Sequence, residues 1–283
     1  MTQQPNFIGI GVQKGGTSWL HKQMVEHPEI FVPKHRKEIH FFDVYYDRPH
    51  QWYLNFFQAA EAKHKAIGEI SPDYIYHTDS AKRMRALYPD IKLIIILRHP
   101  VQRAYSHYRM TFQSGEGQKY QDFDDFMARH PHSYKRGLYA QQLKIWMEHF
   151  NRDQMLIMTY DEMFEQENGV EQSFDQIAQF LDIDAGLFDR TLAYKRVGQA
   201  RGAPKYPMIA KIAQSGRILL RDLNLDFMAT VLTKMGLTRQ LFGQREQEIP
   251  PLLPEIEAKW MQHYQNEIAD LEQLLGRSFN QWL

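Results

Sequence analysis

The sequence predicts an α/β protein in which helices flank a central parallel β-sheet. Short apolar segments alternate with segments of helical periodicity over about the first 192 residues. The apolar segments are rich in branched side chains, which is typical of strands buried on both faces of a parallel sheet. The predicted strands are Phe7 to Val12, Ile30 to Val32, Ala66 to Ile70, Ile91 to Leu97 and Gln154 to Thr159.

The segments between these strands carry apolar residues at helical spacing. The predicted helices cover residues 19–26, 51–60, 80–87, 101–110, 122–129, 138–150 and 170–181, and further helical regions cover 208–236 and 253–275. Residues 194–207 combine several cations with glycine and proline, so this segment is predicted to be a loop.

Composition limits the partners of the chain. Its 283 residues contain 34 Lys plus Arg and 34 Asp plus Glu, so no overall charge favours nucleic acid or an anionic membrane. Cysteine is absent, which excludes disulfides and thiolate chemistry and fits a reducing compartment. The first strand begins close to the N-terminus, and no apolar run approaches the length of a membrane span. We therefore expect a cytoplasmic protein without a transmembrane segment.

A strand, a glycine turn and a helix start follow one another in FIGIGVQKGGTSWL. Gly15 and Gly16 allow the backbone to approach an anion closely, and the helix N-terminus adds a partial positive charge. Lys14 adds a full charge that can move with its side chain. This stretch predicts a binding site for a phosphate or sulfate group.

The alternative is the P-loop of nucleoside-triphosphate enzymes, which requires G-x-x-x-x-G-K-[ST]. Counting from Gly11 places Gly16 correctly but puts Thr17 where the lysine belongs. The strongest strand ends at Arg98 rather than at an aspartate that could hold magnesium. A nucleotide site without a metal is favoured. A kinase-like nucleotide-dependent transferase and a catalytically inactive nucleotide-binding protein remain the alternatives.

Three motifs resemble the sulfotransferases that use 3′-phosphoadenosine 5′-phosphosulfate (PAPS). GVQKGGTSWL is similar to their 5′-phosphosulfate loop, LIIILRHPVQRAYSHYRM to their 3′-phosphate segment, and KEIHFFD to the segment with a catalytic glutamate in the heparan sulfate branch. The chain most resembles that branch and its soluble bacterial relatives, from about residue 7 to residue 159. The resemblance implies a P-loop-like sulfotransferase fold, PAPS as donor, 3′-phosphoadenosine 5′-phosphate (PAP) as product, and no metal.

The resemblance also assigns residues to the donor. Lys14 would contact the 5′-phosphate and the leaving oxygen, and Arg98 and Ser106 would bind the 3′-phosphate. Trp19 lies where soluble sulfotransferases stack a tryptophan on adenine, although core packing explains it equally well. The backbone amides expected to cradle the 5′-phosphate are those of Gly15, Gly16, Thr17 and Ser18.

A late basic loop closes over the nucleotide in this family, and Arg201 and Gly202 are its candidate phosphate contacts. We expect a single domain over residues 1–283, with a nucleotide-binding α/β core over about 1–192 and a basic loop plus helical C-terminal region over about 193–283.

Glu38 is the predicted general base that takes the proton of the acceptor hydroxyl, by its match to the heparan sulfate branch. His40 is the second candidate, because an extended segment places it on the same face as Glu38 and its ordinary pKa is near neutral. The sequence predicts a saccharide, lipid or small-molecule hydroxyl as acceptor. It predicts no oligomeric state.

Overall fold

The computed structural model describes residues 3–113, 116–194, 216 and 249–282. Its sheet contains five parallel strands in the order β2-β3-β1-β4-β5. The strands are β1 (Phe7–Gly11), β2 (Ile30–Phe31), β3 (Ala66–Ile70), β4 (Lys92–Leu97) and β5 (Met155–Thr159). The predicted parallel α/β fold is therefore confirmed.

The strand order switches at β1: β2 and β3 lie on one side of β1, and β4 and β5 lie on the other side. Ligands of open parallel sheets bind beside the carboxyl ends of strands at such a switch point. Every side chain from Leu93 to Leu97 is fully buried, as expected for a central strand covered on both faces. The topology thus points to the loops after β1 and β4 as a ligand site.

Eleven α-helices lie among the described residues, most of them close to predicted positions. They are α1 (Thr17–Glu26), α2 (His50–Leu54), α3 (Thr78–Leu87), α4 (Pro100–Gln113), α5 (Phe123–Arg129), α6 (Pro131–Lys135), α7 (Tyr139–Met147), α8 (Tyr160–Phe164), α9 (Gly169–Leu181), α10 (Arg190–Ala193) and α11 (Pro254–Leu275).

The structure differs from the helix predictions at several places. The predicted helix over 51–60 is α2 followed by the 3-10 turn Asn55–Phe57. The short helices α6, α8 and α10 were not predicted, although Thr159 and Glu162 form a capping box at the start of α8. The predicted helical region 208–236 lies outside the described residues except at position 216. No helix among the described residues combines the length and apolar character needed to cross a membrane.

Contacts between residues divide the chain into two compact units. The first comprises residues 1–103, 135–198 and 261–283 and contains the whole sheet. The second comprises residues 104–134 and 199–260. Within the second unit, Asp124 accepts hydrogen bonds of 2.8 Å from Lys259 Nζ and from Trp260 Nε1. The expectation of a single domain stays a prediction.

Candidate active site

The loop between β1 and α1 needs its two glycines for different reasons. A Cβ at Gly15 would lie 2.4 Å from the carbonyl oxygen of Ile96, so no larger residue fits between the loop and β4. Gly16 precedes α1 with φ of 105°, a conformation that L side chains rarely adopt. Close packing and backbone conformation together hold the loop at the end of the sheet.

The start of α1 supplies the amides for an anion site. Because α1 begins at Thr17, the amides of Thr17 and Ser18 lie in its first turn, where no earlier carbonyl of the helix can accept their hydrogen bonds. The amide of Gly15 donates a 2.9 Å hydrogen bond to the carbonyl of Val12. Gly15 therefore shapes the predicted cradle, and its amide is already engaged.

Three further cations act on Lys14 in this loop. Burial, followed by the charges of Arg98, Lys37 and Arg103, lowers the pKa of Lys14 to about 8. Arg103 is itself fully buried, and burial lowers its pKa as well. A lysine whose pKa is lowered by neighbouring cations at a helix N-terminus is typical of a site for a polyanion.

The predicted 3′-phosphate ligand Arg98 follows β4 and is fixed by its surroundings. Its guanidinium donates a 3.2 Å hydrogen bond to the carbonyl of Lys14, and its Cζ lies 4.3 Å from the centre of the Tyr160 ring. The Tyr139 hydroxyl donates a 2.7 Å hydrogen bond to the Arg98 carbonyl. Arg98 thus lies against the phosphate loop. Ser106 lies on α4 in the second unit, and its phosphate contact stays a prediction.

Trp19 is a core residue. Its indole Nε1 donates a 2.7 Å hydrogen bond to the Ala193 carbonyl, and 5% of the residue is exposed. One ring stacks on it, that of Phe174 at 5.5 Å, and the Phe164 ring meets it edge to face at 5.2 Å. This corrects the predicted adenine stacking, because too little of the indole is exposed to cover a base.

The two predicted bases lie in a row of three side chains, in which the imidazole of His40 stands between the carboxylates of Glu38 and Asp43. His40 Nε2 lies 3.5 Å from Glu38 Oε2, and His40 Nδ1 lies 2.8 Å from Asp43 Oδ2. Burial by itself raises the pKa of Glu38, but the hydrogen bond from His40 and the charge of Lys37 outweigh it and lower the pKa to about 2. Glu38 is therefore a carboxylate at any pH near neutral, as a proton acceptor must be.

Lys37 links this row to the phosphate loop. Its Nζ lies 3.2 Å from Thr17 Oγ1, from Ser18 Oγ and from Glu38 Oε1. The sequence assigned no role to Lys37. Its contacts with α1 join positions about twenty residues apart, which no local sequence pattern reveals.

A buried carboxylate holds the backbone of the segment that carries the bases. Glu69, at the end of β3, is fully buried and accepts hydrogen bonds from Ile39 N (3.2 Å), Ser71 Oγ (2.5 Å) and Tyr74 OH (2.7 Å). Sequence reasoning assigned Glu69 no role. The available signal was an acidic residue inside the apolar strand AIGEI, because an unpaired carboxylate is rarely buried.

The same cluster reaches the next two residues of that segment. Ser71 Oγ accepts a 3.3 Å hydrogen bond from the His40 amide, and Tyr74 OH accepts one of 2.8 Å from the Phe41 amide. His40 has φ of 59°, in the left-handed region. Hydrogen bonds to consecutive amides thus hold an uncommon backbone conformation at the candidate base.

Two predicted contacts, Arg201 and Gly202, lie outside the described residues. Within the described part of the chain, no three His, Asp or Glu side chains are grouped as a metal site would require. Metal independence stays a prediction.

Comparison with known proteins identifies the family. Residues 4–204 match the profile of the Sulfotransferase domain family, and the chain belongs to that family. The family resemblance of the three motifs is therefore confirmed.

Individual relatives agree with this assignment. The chain is 27% identical over 221 residues to heparan sulfate glucosamine 3-O-sulfotransferase 6 of Mus musculus, which covers 75% of the chain and 60% of the mouse enzyme. It is 38% identical over 111 residues to membrane-associated sulfotransferase kil1 of Dictyostelium discoideum, covering 38% of the chain and 23% of that protein. The chain thus spans less than two thirds of the length of either relative.

A solved structure shares the fold along the whole chain. The crystal structure of a sulfotransferase from Alicyclobacillus acidocaldarius superposes with a TM-score of 0.70 at 22% identity, covering 99% of both chains. The P-loop-like sulfotransferase fold is confirmed by this likeness.

Proposed function

We propose that the protein transfers a sulfuryl group from PAPS to an acceptor hydroxyl. One observation carries the proposal: burial and the charges of Arg98, Lys37 and Arg103 lower the pKa of Lys14 to about 8 beside the N-terminus of α1. A donor with phosphates at both ends and a sulfuryl group compensates this concentration of positive charge. Membership of the sulfotransferase family supports the choice of donor.

The residues present fit such a donor. Lys14 and the amides of Thr17 and Ser18 would hold the 5′-phosphate, and Lys14 would stabilise the charge that develops on it as it leaves. Arg98 would bind the 3′-phosphate, the group that ATP lacks. Ser106 is proposed to share that role. From the part of the chain outside the described residues, Arg201 and Gly202 are proposed to close over the nucleotide.

Glu38 is the proposed general base. As the acceptor oxygen forms its bond to sulfur, Glu38 takes the hydroxyl proton, while the bond from sulfur to the bridging oxygen breaks and PAP leaves. PAPS supplies the sulfuryl group. The nearby Asp43 carboxylate orients His40, so the imidazole can hold Glu38 or the acceptor hydroxyl in place.

The proposed acceptor is a hydroxyl of a saccharide, a glycolipid or a secondary metabolite. The names of relatives such as the heparan sulfate glucosamine 3-O-sulfotransferases support a saccharide. Nucleic acid is not proposed, because the chain has a net charge of zero.

Titration calorimetry tests the donor. Wild type and Arg98→Ala are titrated with PAP and, separately, with ATP and magnesium. We expect the wild type to bind PAP tightly and ATP weakly. Arg98→Ala should weaken PAP binding at least about tenfold, since charge-assisted hydrogen bonds to the 3′-phosphate are lost. ATP binding as tightly as PAP would favour the kinase alternative.

Comparison of Glu38→Gln with His40→Ala tests the base. Both variants are assayed for PAPS turnover with a broad mixture of hydroxyl acceptors. We expect Glu38→Gln to abolish transfer while PAP still binds, because the amide cannot take the proton. An active Glu38→Gln enzyme together with an inactive His40→Ala enzyme would transfer the role to His40. Wild-type turnover would also dispose of the inactive nucleotide-binding alternative.

A further inference from the structure

Lys37 occupies the space between the two halves of the candidate site. The hydroxyls of Thr17 and Ser18 belong to the start of α1, where the 5′-phosphate is proposed to bind. Glu38 belongs to the segment where the acceptor hydroxyl is proposed to lose its proton. Lys37 Nζ lies 3.2 Å from an oxygen of each of these three residues.

An in-line transfer fixes where the sulfuryl group must pass. Sulfur lies between the oxygen of the leaving phosphate and the oxygen of the acceptor, with both oxygens in line. The phosphate end of that line is at α1 and the acceptor end is at Glu38, so the line crosses the region that the Lys37 ammonium occupies. The side chain of Lys37 is 22% exposed, so a ligand can reach it.

We propose that Lys37 binds the oxygens of the sulfuryl group during transfer. When no donor is bound, the carboxylate of Glu38 binds the Lys37 ammonium instead. The inference rests on the proposed function. It adds a catalytic residue to the donor and base assignments, because Lys37 touches the group that is transferred.

Donor binding then exchanges one set of partners of Lys37 for another. The phosphate takes over the hydroxyls of Thr17 and Ser18, and the sulfuryl oxygens accept hydrogen bonds from the ammonium. Glu38 loses the cation that stabilises its charge and becomes a better proton acceptor. Throughout the step Lys37 keeps its proton: the acceptor proton passes to Glu38, and the electron pair of the broken bond between sulfur and oxygen leaves with PAP.

The contrast between PAPS and PAP isolates this contact, because only PAPS carries the sulfuryl group. Dissociation constants of both nucleotides are measured for wild type, Lys37→Met and the control Lys34→Met, which removes an exposed lysine of the same segment. We expect Lys37→Met to raise the dissociation constant of PAPS about tenfold or more, and that of PAP by less than about threefold. Lys34→Met is expected to change neither.

A second variant guards against loss of folding. Lys37→Gln keeps a donor for the hydroxyls of Thr17 and Ser18 but removes the charge, and it is expected to show the same selective loss of PAPS. If both variants lost affinity for PAP and PAPS equally, the inference would be overturned, and Lys37 would only stabilise the phosphate loop. Wild type that binds neither nucleotide would overturn the donor assignment, and this inference with it.

Discussion

The hydroxyl of Tyr74 donates a 2.7 Å hydrogen bond to Oε1 of Glu69, and both residues are fully buried. The same hydroxyl accepts a 2.8 Å hydrogen bond from the Phe41 amide. One phenol therefore connects the end of β3 to the segment that carries Glu38 and His40. The position of the candidate bases depends on this connection, because no regular element contains them.

Removing this hydroxyl is expected to disturb the bases more than the nucleotide site. Tyr74→Phe leaves a buried carboxylate oxygen and a backbone amide without this partner, which costs about 1–3 kcal/mol of unfolding free energy. We expect a lower rate of sulfuryl transfer with little change in PAP affinity. Denaturant unfolding, transfer kinetics and calorimetry measure these effects. Tyr194→Phe, at a residue that is 70% exposed, is the matched control for the unfolding free energy. Equal stability of the two variants would contradict the prediction.

The lowered pKa of Lys14 predicts that PAP binding depends on pH. Its pKa in the ligand-free protein is lowered to about 8 by burial and by neighbouring cations. The protonated lysine binds the phosphate, so PAP affinity should fall as pH rises above about 8, by up to about tenfold per pH unit. Calorimetry between pH 6 and pH 10, a range chosen to span about two units on either side of that pKa, measures it.

Two variants assign that pH dependence to one lysine. Arginine stays protonated throughout this range, so Lys14→Arg should remove the fall in affinity. Lys37→Met should retain the fall but move it to higher pH, because the charge of Lys37 lowers the pKa of Lys14. A profile that disappears in Lys37→Met and persists in Lys14→Arg would contradict the assignment.

The two loop glycines should respond differently to alanine. In Gly15→Ala the new methyl group meets the Ile96 carbonyl at 2.4 Å, and relieving the overlap should cost about 1–3 kcal/mol and displace the loop. In Gly16→Ala the nearest atoms lie 3.5 Å away, so the cost is that of the left-handed conformation, about 1–2 kcal/mol. We expect Gly15→Ala to lose more PAP affinity than Gly16→Ala, as calorimetry can measure. The reverse order would contradict the predicted role of Gly15.

Replacing Trp19 should lower the stability of the protein without weakening nucleotide binding. Trp19→Phe removes the hydrogen bond to the Ala193 carbonyl and part of a buried ring, and should lower the unfolding free energy by about 1–3 kcal/mol. We expect PAP affinity to change by less than about twofold, because the indole lies in the core. Thermal unfolding and calorimetry on the same samples check both expectations. Weaker PAP binding at unchanged stability would restore the adenine-stacking role.

Much of the fold could be predicted because its signals are local. Branched apolar runs separated by segments of helical periodicity specified all five strands to within two residues at either end. The glycine turn after β1 and the arginine after β4 placed the candidate site beside the ends of these two strands, and the observed strand order puts those ends at the switch point of the sheet. Helix α2 was predicted too long, because an apolar pattern does not distinguish an α-helix from the 3-10 turn that continues it.

The sequence by itself determined the class of fold and singled out the phosphate loop, Lys14, Glu38, His40 and Arg98 as candidates, because each depends on a short motif or on a periodic pattern. Only the tertiary structure decided that Trp19 packs in the core. It also decided that Lys37 reaches α1 and that Glu69 anchors the segment after Lys37. These contacts join residues from 20 to 174 positions apart, and packing of the sheet and helices brings them together.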